Sequence, residues 1–502
     1  MTVVLAYCLS PFWAVDKGMA IFGIVRYLPV FFYMLLLMQC TDEERNAFFA
    51  LIPITGAAMV AISGLLFLVP TMQSYVSVNG RLSGFFQYPN TFSAFLLAGL
   101  VILGSKKTMR TVEYLLCIVL FTGIWLAGSR TVFILLIIAL FGILLLRCPP
   151  NTRKYFAVIG GFTALLAGGF IWNMLVQKES LTILGRDIGS LFVRFLYYKD
   201  AIPVIWANPF GLGYMGYRAM EGSFQTSRYS VSFVHSGLLQ LFLDIGWIPA
   251  LLLITAFTKA ILSKQVPTER KLLLIITLAH CLLDFDMQFF VFWTILLSCL
   301  DFHSGKSWQF PLRTSFWGIP AAILCLWLGF GDFFYQNNKV PLVLSLTPFH
   351  TEALSIAMTQ TRDMNKLDAL ADRTLSLNPC SALAHSAKAN VSLSQGNILV
   401  MIHHKENALH YARYSTAEYC DYFEKLYTLM QWYSDAGDMQ SALFCYQKLC
   451  TIPESMAAVS RQTDPLASQT GNNSALELPS AYTEILDQLA QSNGSETGIH
   501  MP

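Results

Sequence analysis

Charge is what this sequence has least of. Asp, Glu, Lys and Arg together make up 13% of its 502 residues, against about 25% in soluble domains. That scarcity excludes an ordinary soluble globule. A net charge of +2 gives no pull toward nucleic acid, and none is expected as a partner. The eleven cysteines are scattered, with no Cys-x-x-Cys pair and no Cys/His ligand spacing. Neither a disulfide framework nor a zinc site is indicated. The first 15 residues lack a basic leader and a small-residue cleavage site. They read as a short first helix, the remnant of a longer native start, and not as a cleaved signal.

What is there is apolar. The chain is 55% hydrophobic, its mean hydropathy is +0.51, and its apolar runs approach the ~20 residues that cross a bilayer. The fold class expected is all-α, a polytopic helical membrane protein with about eleven spans. The spans fall near 1–15, 18–39, 47–70, 86–104, 111–127, 131–147, 155–176, 236–262, 271–284, 288–302 and 315–335. Short basic loops carry Lys106, Lys107 and Arg110; Arg147, Arg153 and Lys154; Lys264, Arg270 and Lys271; and Lys306 with Arg313. Alternating spans put all four on one side, which is then cytoplasmic. Arg81, the Gly128-Ser129-Arg130 turn, the long loop 177–234 and everything after about 335 face outward.

Residues 336–455 differ in kind, being polar and helical. Asn378-Pro379, Gly396 and Asp435-Ala436-Gly437-Asp438 punctuate them. A Gly-Asp turn followed by an Ala-x-x-x-Tyr helix, Ala442 to Tyr446, resembles the tetratricopeptide repeat. Residues 456–502, rich in Ser, Thr, Asn and Gln, read as a mostly disordered tail with one short helix near 479–491. The chain thus divides into a membrane domain 1–335, a helical-hairpin domain 336–455 and that tail. Residue-level chemistry gathers outside the membrane. Loop 177–234 holds Arg186, Arg194, Lys199, the turn Asn208-Pro209-Phe210-Gly211-Leu212-Gly213, Arg218 and Arg228, and ends at His235.

Each candidate has a plain reading and a sharper one. Arg81, just before Pro89-Asn90, is an arginine snorkelling to headgroups or a positioned group in an external site. Arg130 stands at a helix start, where the dipole disfavours a cation and an anionic ligand would relieve it. Arg194 and Lys199 lie on an amphipathic stretch, and a guanidinium fork suits phosphate. The glycine turn is a phosphate nest or a plain loop. His235 is an interfacial histidine or a general base. Asp244, deeper in its span, pairs with an arginine or acts itself. His280, Asp284 and Asp286 form a polar cluster at an outer membrane end, read as structural.

Four segments in order resemble the O-antigen ligase family of bacterial membrane proteins. They are Arg81-Leu82-Ser83-Gly84-Phe85-Phe86-Gln87-Tyr88-Pro89-Asn90, the turn at 128–130, Asn208 to Gly213 after Arg194, and His235 leading Leu239-Gln240 and Asp244-Ile245-Gly246. The likeness covers about 75–302. It implies a GT-C-like membrane fold and transfer of a glycan from an undecaprenyl pyrophosphate carrier to an acceptor sugar or glycolipid on the outer face of the cytoplasmic membrane. No metal, nucleotide or other cofactor is implied. Arg130 and Arg194 would bind the donor pyrophosphate and His235 would be the general base. Arg81, Asp244 and Lys199 would support them. The chain departs from the family at Gln87-Tyr88-Pro89-Asn90, where Asn-Pro-Asn is usual, and at Ser236, where Asn is common. Nothing separates ligase from polymerase. Membrane lipid is a further partner, and the helical domain offers a surface for a protein partner or the acceptor. The rivals are a transporter or flippase of lipid-linked sugars and a non-catalytic membrane scaffold.

Overall fold

The computed structural model describes residues 1–147, 152, 189–302, 316, 318–469 and 476–496. The span expected at 155–176, Arg186, Lys306 and Arg313 lie outside the described residues. The described chain is all-α apart from one two-residue ladder.

Membrane-domain helices follow the apolar runs closely. They are α1 Thr2–Leu9, α2 Lys17–Leu37, α3 Asp42–Phe67, α4 Pro89–Gly104, α5 Thr111–Ala127 and α6 Arg130–Arg147. After the undescribed stretch come α7 Gly189–Ala207, α8 Gly216–Phe224, α9 Gly237–Ile245, α10 Trp247–Leu262, α11 Thr268–Leu283, α12 Phe290–Ser298 and α13 Gly318–Gln336. Four of these (α2, α3, α6 and α13) are long and apolar enough to cross a membrane alone. Four shorter apolar helices lie at Thr2–Phe12, α4, α5 and α10.

Local sequence sets the ends. Thr41 and Glu44 form a reciprocal capping box that starts α3. Pro89 opens α4, where a missing N–H costs nothing. Asn79-Gly80, both at positive φ, turns a hairpin that pairs Val78 with Arg81. The span expected at 236–262 is broken at Gly246, with φ +78°. A Cβ there would stand 2.2 Å from the Pro209 carbonyl oxygen, so only glycine lets the 208–213 turn dock.

Lipid is as apolar as a protein core, so helices in it associate through shape and polar contacts. Two hydroxyl-mediated contacts join distant helices here. The Tyr7 hydroxyl donates to Asp244 Oδ2 at 2.8 Å, joining α1 to α9. Tyr33 and Ser298 hydroxyls lie 2.6 Å apart, joining α2 to α12. Each is worth on the order of 0.6–2 kcal/mol.

The two ends of the bundle differ. At one end Arg147 donates to the Gly104 carbonyl at 2.8 Å and Arg270 to Asn46 at 3.0 Å, close to Lys106. Three of the four basic loops therefore meet there. The opposite end holds Arg81, the 128–130 turn, Arg194 and His235.

The helical domain docks on that opposite end. It comprises α14 Val340–Leu346, α15 Thr351–Gln360, α16 Met364–Leu377, α17 Ala382–Ser394, α18 Ile398–Tyr411, α19 Thr416–Asp435, α20 Met439–Arg461 and α21 Ser480–Glu496. Asp363, Ser381, Ser415 and Asp438 cap four of them through side-chain oxygens. Neighbouring helices share a core of Met401, Phe423, Leu426, Cys445 and Leu449. The boundary expected at 455 falls inside α20, whose buried Met456 packs in that core. The short helix expected near 479–491 is α21, running to Glu496. Docking is polar. Buried Asp16, at the start of α2, accepts from Thr351 at 2.7 Å and Asn378 at 3.1 Å, and Arg218 pairs with Glu352 at 2.9 Å.

A histidine–aspartate pair among arginines

The geometry at the domain-bearing end is organised by Asp284, in the turn after α11. His235 Nδ1 lies 3.1 Å from its Oδ1. Arg194 Nη2 donates to Oδ2 at 3.1 Å, while Arg194 Nη1 donates to the Leu283 carbonyl at 2.7 Å. The Tyr88 hydroxyl reaches both oxygens at 3.0 Å, and Asn90 Nδ2 donates to Oδ2 at 3.0 Å. The side chain of Asp284 is 2% exposed, that of His235 21%. Arg194 thus satisfies the last carbonyls of α11 and the carboxylate there together.

Burial pushes the Asp284 carboxyl up. The His235 hydrogen bond and the Arg194 charge outweigh it and hold the group well below the usual carboxylate range. A carboxylate at Nδ1 keeps the ring proton there and leaves Nε2 with a lone pair. Aromatic walls fix the ring: Tyr197 stacks on it with centroids 5.8 Å apart, and Phe285 lies 5.1 Å away. Tyr198 donates to the His235 carbonyl. Ser236 accepts from Leu239 N–H and starts α9 directly behind the histidine.

The other expected residues divide. Arg130 opens α6, two residues beyond the Gly128 carbonyl that Arg81 holds. Arg81 itself is a clamp. Its Nε donates to the Ala127 carbonyl at 2.8 Å and its Nη2 to Asn90 Oδ1 at 2.7 Å. It ties the end of α5 to the asparagine that reaches Asp284. Asp244 lies in a different network: it is fully buried and accepts from Tyr7 and, at 2.7 Å, from Gln240. Lys199 turns to the helical domain and pairs with Asp464.

The 208–213 turn is no phosphate nest. Its Leu212 and Gly213 amides donate to the carbonyls of Leu243 and Asp244 at 2.6 and 2.9 Å, and Gly211 N–H to Asn208 at 2.9 Å. Reading the sequence also undervalued Tyr88, Asn90 and Asp284. One signal was available for Asp284: a carboxylate at a helix C-terminus opposes the dipole and calls for a cation.

A helical membrane bundle that gathers a histidine–aspartate pair and arginines at one end has the parts for base-assisted transfer next to an anion. Residues 115–254 match the family model described as O-antigen ligase. Arg130, Arg194 and His235 fall inside the match; Arg81 and Asp284 fall outside it. Comparison with curated proteins gave no match. Comparison with solved structures gave none either. The family points to a glycosyltransferase-type enzyme of the bacterial inner membrane, with a lipid-linked glycan and an acceptor as substrates.

Proposed function

We propose that this protein transfers a glycan from an undecaprenyl pyrophosphate carrier to an acceptor hydroxyl at the outer face of the membrane, as a ligase or polymerase of cell-surface polysaccharide. The observation that carries the reading is the 3.1 Å contact of His235 Nδ1 with an Asp284 that Arg194 also holds. In the step proposed, His235 Nε2 takes the acceptor's hydroxyl proton. The acceptor oxygen bonds to the anomeric carbon as that carbon's bond to pyrophosphate oxygen breaks. The electron pair leaves on the pyrophosphate, and Arg130 with Arg194 meets the growing charge. Two of the five N–H groups of Arg194 are engaged in its contacts with Leu283 and Asp284, which leaves others for phosphate oxygens. Fixed guanidinium groups would stand in for a divalent cation. The basic end of the bundle supports a cytoplasmic assignment by the positive-inside rule, which puts the histidine and the helical domain outside.

The test is transfer in liposomes, with purified protein, the native host's lipid-linked glycan, its acceptors, and EDTA throughout. Elongated or transferred product that disappears in both His235→Ala and Arg194→Ala, with each variant folded, is expected. Transfer that survives His235→Ala would remove the general-base role. A folded wild type that turns nothing over would remove the enzyme reading.

A further inference from the structure

A polar cleft of about 370 Å³ lies where the helical domain meets the membrane domain. Its size falls within the ~300–1,000 Å³ of small-ligand sites. The walls come from the start of α2, from α8, from the end of α13, from α15, from the turn before α17 and from the end of α18. Two tyrosines line it. Tyr335 is backed by the His350 ring at 4.5 Å, and Tyr411 by the His385 ring at 5.9 Å and 13°. Between them stand the Arg218–Glu352 pair, Asn378 and Ser381.

This lining has a particular chemistry. Arginine and glutamate side by side offer donors and an acceptor a few ångströms apart, which is what two adjacent sugar hydroxyls need. Ring-backed tyrosines offer flat apolar faces for the C–H side of a pyranose. Fixed charge is small. Asp16 is spent on Met19 N–H, Thr351 and Asn378, and Arg218 faces Glu352. The cleft is therefore unlike the arginine-bearing corner and poorly suited to pyrophosphate.

It is also coupled to the histidine segment. Arg218 Nη1 donates to Ser232 Oγ at 2.9 Å, and Glu221, one turn along α8, accepts from Val231 N–H at 2.9 Å. Both partners lie within four residues of His235. One face of α8 lines the cleft while its side chains hold the segment that delivers His235.

We infer that this cleft binds a neutral oligosaccharide, the acceptor glycan, and that the helical domain supplies half of the acceptor site. The word acceptor rests on the transfer reading above; the carbohydrate site does not. Two probes suffice: the delipidated glycan of the lipid-linked pool and the delipidated core oligosaccharide of the host's surface glycolipid. Each is titrated without donor against full-length protein in nanodiscs. Binding by one of them is expected, weakened about tenfold by Tyr411→Ala and by Glu352→Gln and kept by Tyr411→Phe. In the transfer assay the same two variants raise acceptor KM about tenfold while kcat and donor KM stay within about twofold. A loosened domain junction would instead lower Tm and kcat together. Wild-type binding that both variants retain, or binding of neither probe up to about 10 mM, overturns the inference even where transfer is active. Variant-sensitive binding by a protein that transfers nothing supports the carbohydrate site and removes the transfer reading.

Discussion

Two histidine–aspartate pairs stand in one polar cluster of this protein, and they have opposite surroundings. His235 and Asp284 come from segments 49 residues apart, and the histidine side chain is 21% exposed. His280 and Asp286 come from one helix and the turn that follows it, and their side chains are 2% and 0% exposed. Asp284 is shared by His235, Arg194, Tyr88 and Asn90. Asp286 accepts from Thr91 at 2.7 Å and pins the start of α4 to the turn carrying Asp284. The buried His280 Nε2 has no hydrogen-bond partner among the described residues. The same two residue types thus give a histidine with an open face, which the proposed base requires, in one place and a brace in the other. A base needs a lone pair that substrate can reach, and access is the difference between them.

The sharpest way to break this comparison is to remove each histidine and measure transfer. His235→Ala should lower kcat by about 10²–10⁴-fold with donor KM little changed, the range for a general base. Single-turnover rates would check it. Next in size is Asp284→Asn, which keeps the volume but no longer fixes the proton on Nδ1. A fall in kcat of up to about 10⁴-fold is expected, with the fold intact by circular dichroism. A variant as active as wild type would demote Asp284 from positioning residue to filler.

Much of the membrane domain was legible because each span carries its own signal. Apolar runs and breakers at Pro89 and Gly128 place most described helix ends within a few residues of expectation, while the break at Gly246 splits the span expected at 236–262. The site was legible in part. His235 and Arg194 stood out as polar groups beside apolar helices, and the structure brings both onto one carboxylate. From the sequence that carboxylate reads only as structural, because Asp284 gains its meaning from partners up to 196 residues away in the chain. From the sequence Arg81 reads as a snorkelling arginine or a positioned external group, yet Asn79-Gly80, a strong hairpin signal, already announces a turn that folds it back on α5. The 208–213 glycines resembled a nest, but whether an amide is free depends on what docks against it, here the broken end of α9.

The sealed pair sharpens the comparison from the other side. Asp286→Asn leaves His280 facing a neutral amide in a buried site. Breaking such a pair typically costs about 3–5 kcal/mol of stability. Thermal unfolding in detergent should show a large drop in Tm. Donor and acceptor KM of the folded fraction should stay within about twofold, unlike those of any variant that alters substrate contact.

The smallest expected effect is on pH. Asp284 is held below the usual carboxylate range, so the unfolded chain binds its proton more readily than the folded one does. Stability from this group is therefore full above about pH 4, the ordinary aspartate range, and is lost as pH falls below it. Asp284→Asn cannot lose what it never had. Its Tm should sit below that of wild type at pH 7, and the gap should narrow by pH 3. A gap for Asp284→Asn that is constant with pH would mean that its carboxylate is not held ionised by Arg194 and His235, and the two pairs would then differ in exposure alone.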